Sequence, residues 1–161
     1  MDSWLHPIQL EGELVKLVPL QKSQKVDLAF AASDGKLWEL WYTSVPSPKT
    51  IDSYLDIALS EQEKGNALPF AIIDKKTNTI VGSTRFLNID AKNKRVEIGA
   101  TWYAKKKQRT GINTECKYLL LKYAFENLNC IAVEFRTHFH NHPSRNAILR
   151  LGAKQDGVLR N

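Results

Sequence analysis

The chain predicts a single α/β unit, and three observations carry that expectation. Apolar residues recur at helical spacing in some segments and at period two in others, and the two kinds follow one another in the order β-α-α-β-β-β-α-β-α-β. A length of 161 residues is enough to bury a core without disulfide staples. An apolar fraction of 43% with 25% charged residues fits an ordinary globule and argues against disorder.

Leu10 to Leu20 reads as a strand, centred on Leu14-Val15-Lys16-Leu17-Val18 and ended by Pro19. Helices are expected around Ser23–Ala32 and Thr50–Lys64, the second capped by Thr50 and stopped by Gly65-Asn66. Between them, Leu37-Trp38-Glu39-Leu40-Trp41-Tyr42 is aromatic-rich and halted by Pro46 and Pro48; its large rings suggest core packing. Phe70–Ile73 and Ile80–Phe86 flank the polar stretch Asp74–Thr79, a hairpin pattern. Val96-Glu97-Ile98-Gly99-Ala100-Thr101-Trp102 alternates as a pleated strand does. Next, Cys116, Leu119, Leu120, Tyr123, Ala124 and Leu128 form a helical stripe, with Lys117, Lys122 and Glu126 assigned to its wetter side. Ile131–Thr137 has strong β character, His142-Pro143-Ser144 opens a last helix closed by Leu151-Gly152, and Ala153–Leu159 is expected as a short final strand.

Composition excludes several classes. No apolar run reaches the length of a membrane span, and Met1-Asp2-Ser3-Trp4 lacks a signal-peptide layout, so a cytoplasmic protein without a membrane partner is expected. Cys116 and Cys130 sit in or just after one helix pattern and read as reduced thiols. The net charge of +6 suits an anionic ligand. Much of it lies in Lys92, Lys94, Arg95, Lys105, Lys106, Lys107 and Arg109, but no stacking aromatics interleave, so nucleic acid is not the expected partner. His138, His140 and His142 alternate, yet no further ligand pattern accompanies them; a surface loop is preferred and no metal is expected.

The segment with the clearest chemistry is Gln108-Arg109-Thr110-Gly111-Ile112-Asn113, between a strand and the central helix. Free backbone N–H groups and the positive end of a helix dipole converge there, as a phosphate requires. Gly111 lets the backbone approach the anion, and Asn113 is expected as the helix N-cap.

These features, with Asn141-x-x-Ser144 and Leu151-Gly152-Ala153, resemble the GCN5-related N-acetyltransferases (GNAT). Trp102 through Leu121, Phe135-Arg136-Thr137 and Ser144-Arg145-Asn146-Ala147-Ile148 are similar to the branch of ribosomal-protein N-terminal acetyltransferases, the RimJ/RimL-like enzymes. The resemblance implies a mixed, mostly antiparallel sheet with helices on both faces. It also implies direct attack of a primary amine on acetyl-coenzyme A. Gln108, Arg109, Thr110, Gly111, Ile112, Asn113 and Thr114 would then surround the diphosphate. Thr101, Trp102 and Tyr103 would meet the thioester on a strand splayed from Ile131–Thr137, and Asn141 would hold the pantetheine arm.

On the same resemblance Glu97 is the candidate base, acting through water, with a strand-face salt bridge as its alternative. Ser144 is the candidate donor to the leaving sulfur, with a helix cap as its alternative; where many relatives carry Tyr, this chain has Ile148. The acceptor, a peptide N-terminus or a small amine, stays open. Two departures matter: Asn113 replaces the usual small residue, and the chain reaches Asn161 without the strand pair that completes such sheets. Either the domain is C-terminally incomplete or a second copy, making a homodimer, covers the edge. A catalytically silent coenzyme A-binding or partner-binding module is the competing function.

Overall fold

A computed structural model describes residues 4–160 of the protein, so the readings made on Met1–Ser3 and on Asn161 lie outside the described residues. Six strands are present among those residues: β1 Leu10–Glu11, β2 Val15–Pro19, β3 Leu68–Asp74, β4 Thr79–Asp90, β5 Arg95–Tyr103 and β6 Ala132–Glu134. Four helices accompany them: α1 Lys25–Ser33, α2 Ile51–Glu63, α3 Gly111–Lys122 and α4 His142–Arg150. The sheet runs β1-β2-β3-β4-β5-β6, antiparallel at each junction except the parallel β5–β6 pair. No helix among the described residues is long and apolar enough to cross a membrane.

Two apolar layers hold the sheet between helices. On one face Val15, Leu17, Phe70, Ile72, Phe86, Val96 and Ile98 pack with Ile112, Cys116 and Leu120 of α3. On the other, Leu28 and Ala32 of α1 and Leu55 and Ala58 of α2 close over Ala71 and Trp102. Each fully buried Leu, Ile or Phe stabilises the fold by about 1.5–3 kcal/mol relative to exposure. Gly82 allows β4 and β5 to approach: a Cβ there would stand 2.2 Å from the carbonyl oxygen of Trp102.

The expected Leu10–Leu20 strand is broken into the β1–β2 hairpin. Its turn is held from a distance, since the Glu115 carboxylate accepts the N–H groups of Glu13, Leu14 and Val15 at 3.0, 2.7 and 2.7 Å. A remote carboxylate that organises three successive amides leaves no trace in local periodicity. Two other strand expectations also fail. Ile131–Thr137 contributes only Ala132–Glu134, because pairing with β5 ends at Glu97↔Glu134. Ala153–Leu159 forms no strand and is mostly exposed. α2 matches its expected span, but the Thr50 side chain does not cap it; that hydroxyl accepts the N–H of Ser47 at 2.9 Å instead. Trp41 is 73% exposed, outside the core expected for it, and Leu37 is the buried member of that stretch.

Candidate active site

β5 and β6 pair only over Arg95↔Ala132, Val96↔Val133 and Glu97↔Glu134. Beyond that point β5 runs on to Tyr103 with β4 alone as its neighbour, so a gap opens toward the end of β5 at which α3 begins. In the same stretch the β4–β5 register passes from Arg85↔Gly99 to Ser83↔Trp102, leaving Ala100 and Thr101 opposite Thr84. Ala100 takes φ 48°, a left-handed conformation that costs a non-glycine residue roughly 1–2 kcal/mol. The bulge re-aims the strand. Before it, Val96 and Ile98 face α3; after it, Trp102 points to the α1–α2 layer and Tyr103 to α3.

On the α3 side of this gap lies a group that pattern reading misplaced. Lys117, expected on the wet side, is buried. Its Nζ donates to Thr101 Oγ1 at 2.7 Å and stands 5.7 Å from the centre of the Phe135 ring, while Thr101 Oγ1 meets Thr84 Oγ1 at 2.8 Å. Burial lowers the Lys117 pKa to about 8. Position 117 follows Cys116 and precedes Leu120 by one turn, so the signal was present in the sequence. A wide apolar stripe sweeps a lysine into it when the facing strands diverge. Beside it, burial pushes the Cys116 thiol up to about 12, so this cysteine is an inert core thiol.

The loop into α3 is a short 3-10 turn, Lys105–Lys107, followed by extended Gln108 and left-handed Arg109 at φ 57°. Thr110 is the N-cap: its hydroxyl accepts from Ile112 N at 3.4 Å and donates to the Lys107 carbonyl at 2.7 Å. Asn113 is therefore not the cap, contrary to expectation. It lies one turn inside the helix, where Oδ1 accepts the Tyr103 hydroxyl at 2.8 Å. The first-turn N–H groups of α3 have no carbonyl ahead of them and point out of the helix start. Gln108, Arg109, Thr110, Gly111 and Thr114 are exposed there, whereas the Ile112 side chain is core. Gln108 Nε2 donates to the Tyr103 carbonyl at 3.3 Å. Next to the helix start is an open groove of ≈ 570 Å³, lined among others by Lys76, Lys106, Lys107, Thr110 and Gly111. Lys107 is tied to Asp74 at 2.5 Å, whereas Lys106 Nζ stands 5.9 Å from the centre of the Phe30 ring.

Trp102 and Tyr103 are buried, so what they present to the gap is backbone. Trp102 Nε1 donates to the Tyr54 hydroxyl at 3.2 Å. Glu97 is buried on the opposite face from α3, accepts Asn88 Nδ2 at 2.5 Å and lies 3.8 Å from Arg136 Nε. Burial raises its pKa against the lowering pull of Asn88 and Arg136, and Glu134 raises it further. At the start of α4, Asn141 Oδ1 accepts Ser144 N at 3.3 Å. Asn141 is thus the cap and Ser144 is not, and the Ser144 hydroxyl makes no hydrogen bond among the described residues.

His138 and His140 do come together, with ring centres 5.6 Å apart, but as part of an aromatic group with Trp41, 4.8 Å from His138. Among the described residues no group of three or more His, Cys, Asp or Glu side chains is placed to share a metal ion. Thus Thr101 and Lys117 meet on the α3 face near the diverging strands, while Glu97 lies on the other face at the last paired position.

Comparison with known proteins supports the same reading of the fold. The profile described as acetyltransferase (GNAT) domain matches residues 15–154. The curated protein "Uncharacterized N-acetyltransferase p20" of Bacillus licheniformis is 32% identical over 97 residues. That match takes in 60% of this chain and 54% of the relative, so the chain spans about half the length of the curated relative it matches. A GCN5-related N-acetyltransferase from Brucella melitensis superposes with a TM-score of 0.87 at 28% identity, covering 97% of this chain and 72% of that one. RimJ of Mycobacterium smegmatis, solved in complex with CoA-disulfide, shares the fold at a TM-score of 0.75 and 21% identity, over 96% of this chain and 77% of its own.

Proposed function

Because the chain belongs to the acetyltransferase (GNAT) family, we propose that it moves an acetyl group from acetyl-coenzyme A to a primary amine, either a peptide N-terminus or a small molecule. The observation that carries this reading is the divergence of β5 from β6 beyond Glu97, at the same end of the strand where α3 presents its free amides. The residues present fit such a substrate. The exposed Gln108–Thr114 backbone would take the diphosphate, Thr101–Tyr103 the thioester end, and Asn141 the pantetheine arm. When bound, acetyl-coenzyme A supplies an acetyl thioester, whose C–S bond breaks as the N–C bond to the amine forms.

Glu97 takes the proton from the incoming ammonium, directly or through water, and its raised pKa brings it closer to the operating range of a base. Ser144 is too weak an acid to protonate a thiolate, so its free hydroxyl donates a hydrogen bond where the sulfur leaves. Holding both reactants in one slot supplies most of the acceleration.

Two measurements test this. Gly111→Asp puts a carboxylate at the helix start, where it suits the dipole and meets only the flexible end of Leu14 at 2.9 Å, so the fold should persist. Calorimetry should show coenzyme A affinity falling by at least about tenfold, the loss of one charge-assisted contact; unchanged affinity refutes the loop assignment. A thiol-release screen against peptides and small amines should then give turnover with at least one acceptor. Tight binding with no turnover across the panel would instead identify a silent binding module.

A further inference from the structure

Arg85 is a buried cation without a counter-ion among the described residues. It is only 8% exposed, its Nε is buried with no hydrogen-bond partner, and none of its nitrogens bonds or pairs with another described residue. Among the described residues its guanidinium meets the Tyr54 ring, with Cζ 5.1 Å from the ring centre. Such a group is costly unless something completes it, since a guanidinium carries five donors shaped for a planar anion.

Its neighbours show where the missing partner would sit. Arg85 pairs in register with Gly99 and Leu87 with Glu97, so all four positions share the face turned toward α2. A Cβ on Gly99 would crowd Leu87 Cδ1 at 3.1 Å and Glu97 Oε1 at 3.3 Å, so the glycine opposite Arg85 makes room for the Glu97 carboxylate on this face. Glu97 is two strand positions from the Arg85 register, roughly 7 Å along the sheet. It still does not pair with Arg85, because Asn88 and Arg136 hold its carboxylate. Tyr54, whose ring supports Arg85, also fixes Trp102 through its hydroxyl, so the guanidinium stands on a rigid platform beside the bulge.

We propose that Arg85 binds a carboxylate of the acceptor, so that the substrate is an amine bearing a carboxylate within a few bonds of the reacting nitrogen. This rests on the acetyl-transfer reading for its location. The amine faces Glu97, and the carboxylate, a free one on an amino acid or the side chain of an acidic N-terminal residue, forms the paired hydrogen bonds that Arg85 lacks.

The test uses matched acceptors that differ only in charge: amino acids against their carboxamides, and peptides beginning with Asp against the same peptides beginning with Asn. With the wild type, kcat/KM should favour the carboxylate member of one pair by about 10- to 100-fold, the worth of a hydrogen-bonded charge. Which pair responds tells a free amino acid from a peptide. Arg85→Gln should erase that ratio by losing activity on the carboxylate member alone, with coenzyme A affinity unchanged; Arg85→Lys should recover part of it. Equal wild-type rates within both pairs, or an equal loss by the variant on both members, overturns the proposal while leaving acetyl transfer standing. If no amine is acetylated, thermal shift by the same pairs decides: stabilisation by the carboxylate member that Arg85→Gln abolishes sustains the Arg85 site and sinks the transfer reading, and no such difference sinks both.

Discussion

Replacing Lys117 by Met tests whether the ammonium beside the strand gap is held at a cost. Lowering a lysine pKa from 10.5 to about 8 corresponds to about 3 kcal/mol, at 1.36 kcal/mol per pH unit. The sign follows from proton counts. Below pH 8 both folded and unfolded chains carry the proton, so the whole penalty is present. Between pH 8 and 10.5 the folded state has released it and the unfolded state has not, so stability rises with pH; above 10.5 the penalty is gone. Met fills much the same space without the charge. Its loss of the bond to Thr101 costs about 1 kcal/mol, because Thr101 keeps Thr84 as a partner. The expected net gain near neutral pH is about 1–3 kcal/mol, or a rise in Tm of about 2–4 °C per kcal/mol. Urea denaturation of both proteins across roughly pH 6–11 should show the wild-type curve climbing toward the variant between about pH 8 and 10.5. Parallel curves through that window would refute the buried-cation reasoning. If the ammonium also serves the acetyl donor, the same variant will be more stable yet slower, a combination that a purely structural lysine would not give.

Two further outcomes follow from the geometry. Glu97→Gln should lower kcat by about 10²–10⁴-fold, the usual worth of a general base. In the wild type the rate should fall on the acid side as Glu97 is protonated, at a pH above the ordinary glutamate range because burial raises its pKa; a variant that retains that acid limb excludes Glu97 as the base. Glu115→Ala should destabilise the protein by about 2–3 kcal/mol, since a charged acceptor of three amides is lost although those amides can turn to water. Hydrogen exchange should then accelerate at Glu13, Leu14 and Val15, and unchanged protection there would show that the hairpin holds itself.

The order of helices and strands was legible because most segments report their own surroundings. β3, β4 and β5 alternate or run apolar where they are buried, α2 and α3 keep a helical stripe, and Gly65 at φ 75° stops α2 where a glycine signal stood. The loop before α3 was equally readable, as a short basic segment containing glycine between a strand and an apolar helical stripe. Its cap was misassigned by three residues. Asn113 is a good capping residue in isolation, but the Tyr103 hydroxyl, ten positions back, claims its oxygen.

What the chain announced by its own pattern was most of the succession of elements and the basic glycine loop; Glu97 and Ser144 entered as candidates through the family resemblance. Only folding in three dimensions decided which of them share a face. The left-handed turn at Ala100 reverses the outlook of β5, and the end of pairing at Glu134 opens the gap. In the folded chain Lys117 is buried against Thr101, and Arg85 Nε is buried with no hydrogen-bond partner among the described residues. Periodicity records how one segment meets its surroundings, averaged along its length; a bulge or a divergence is a relation between two segments, and it enters the sequence of neither.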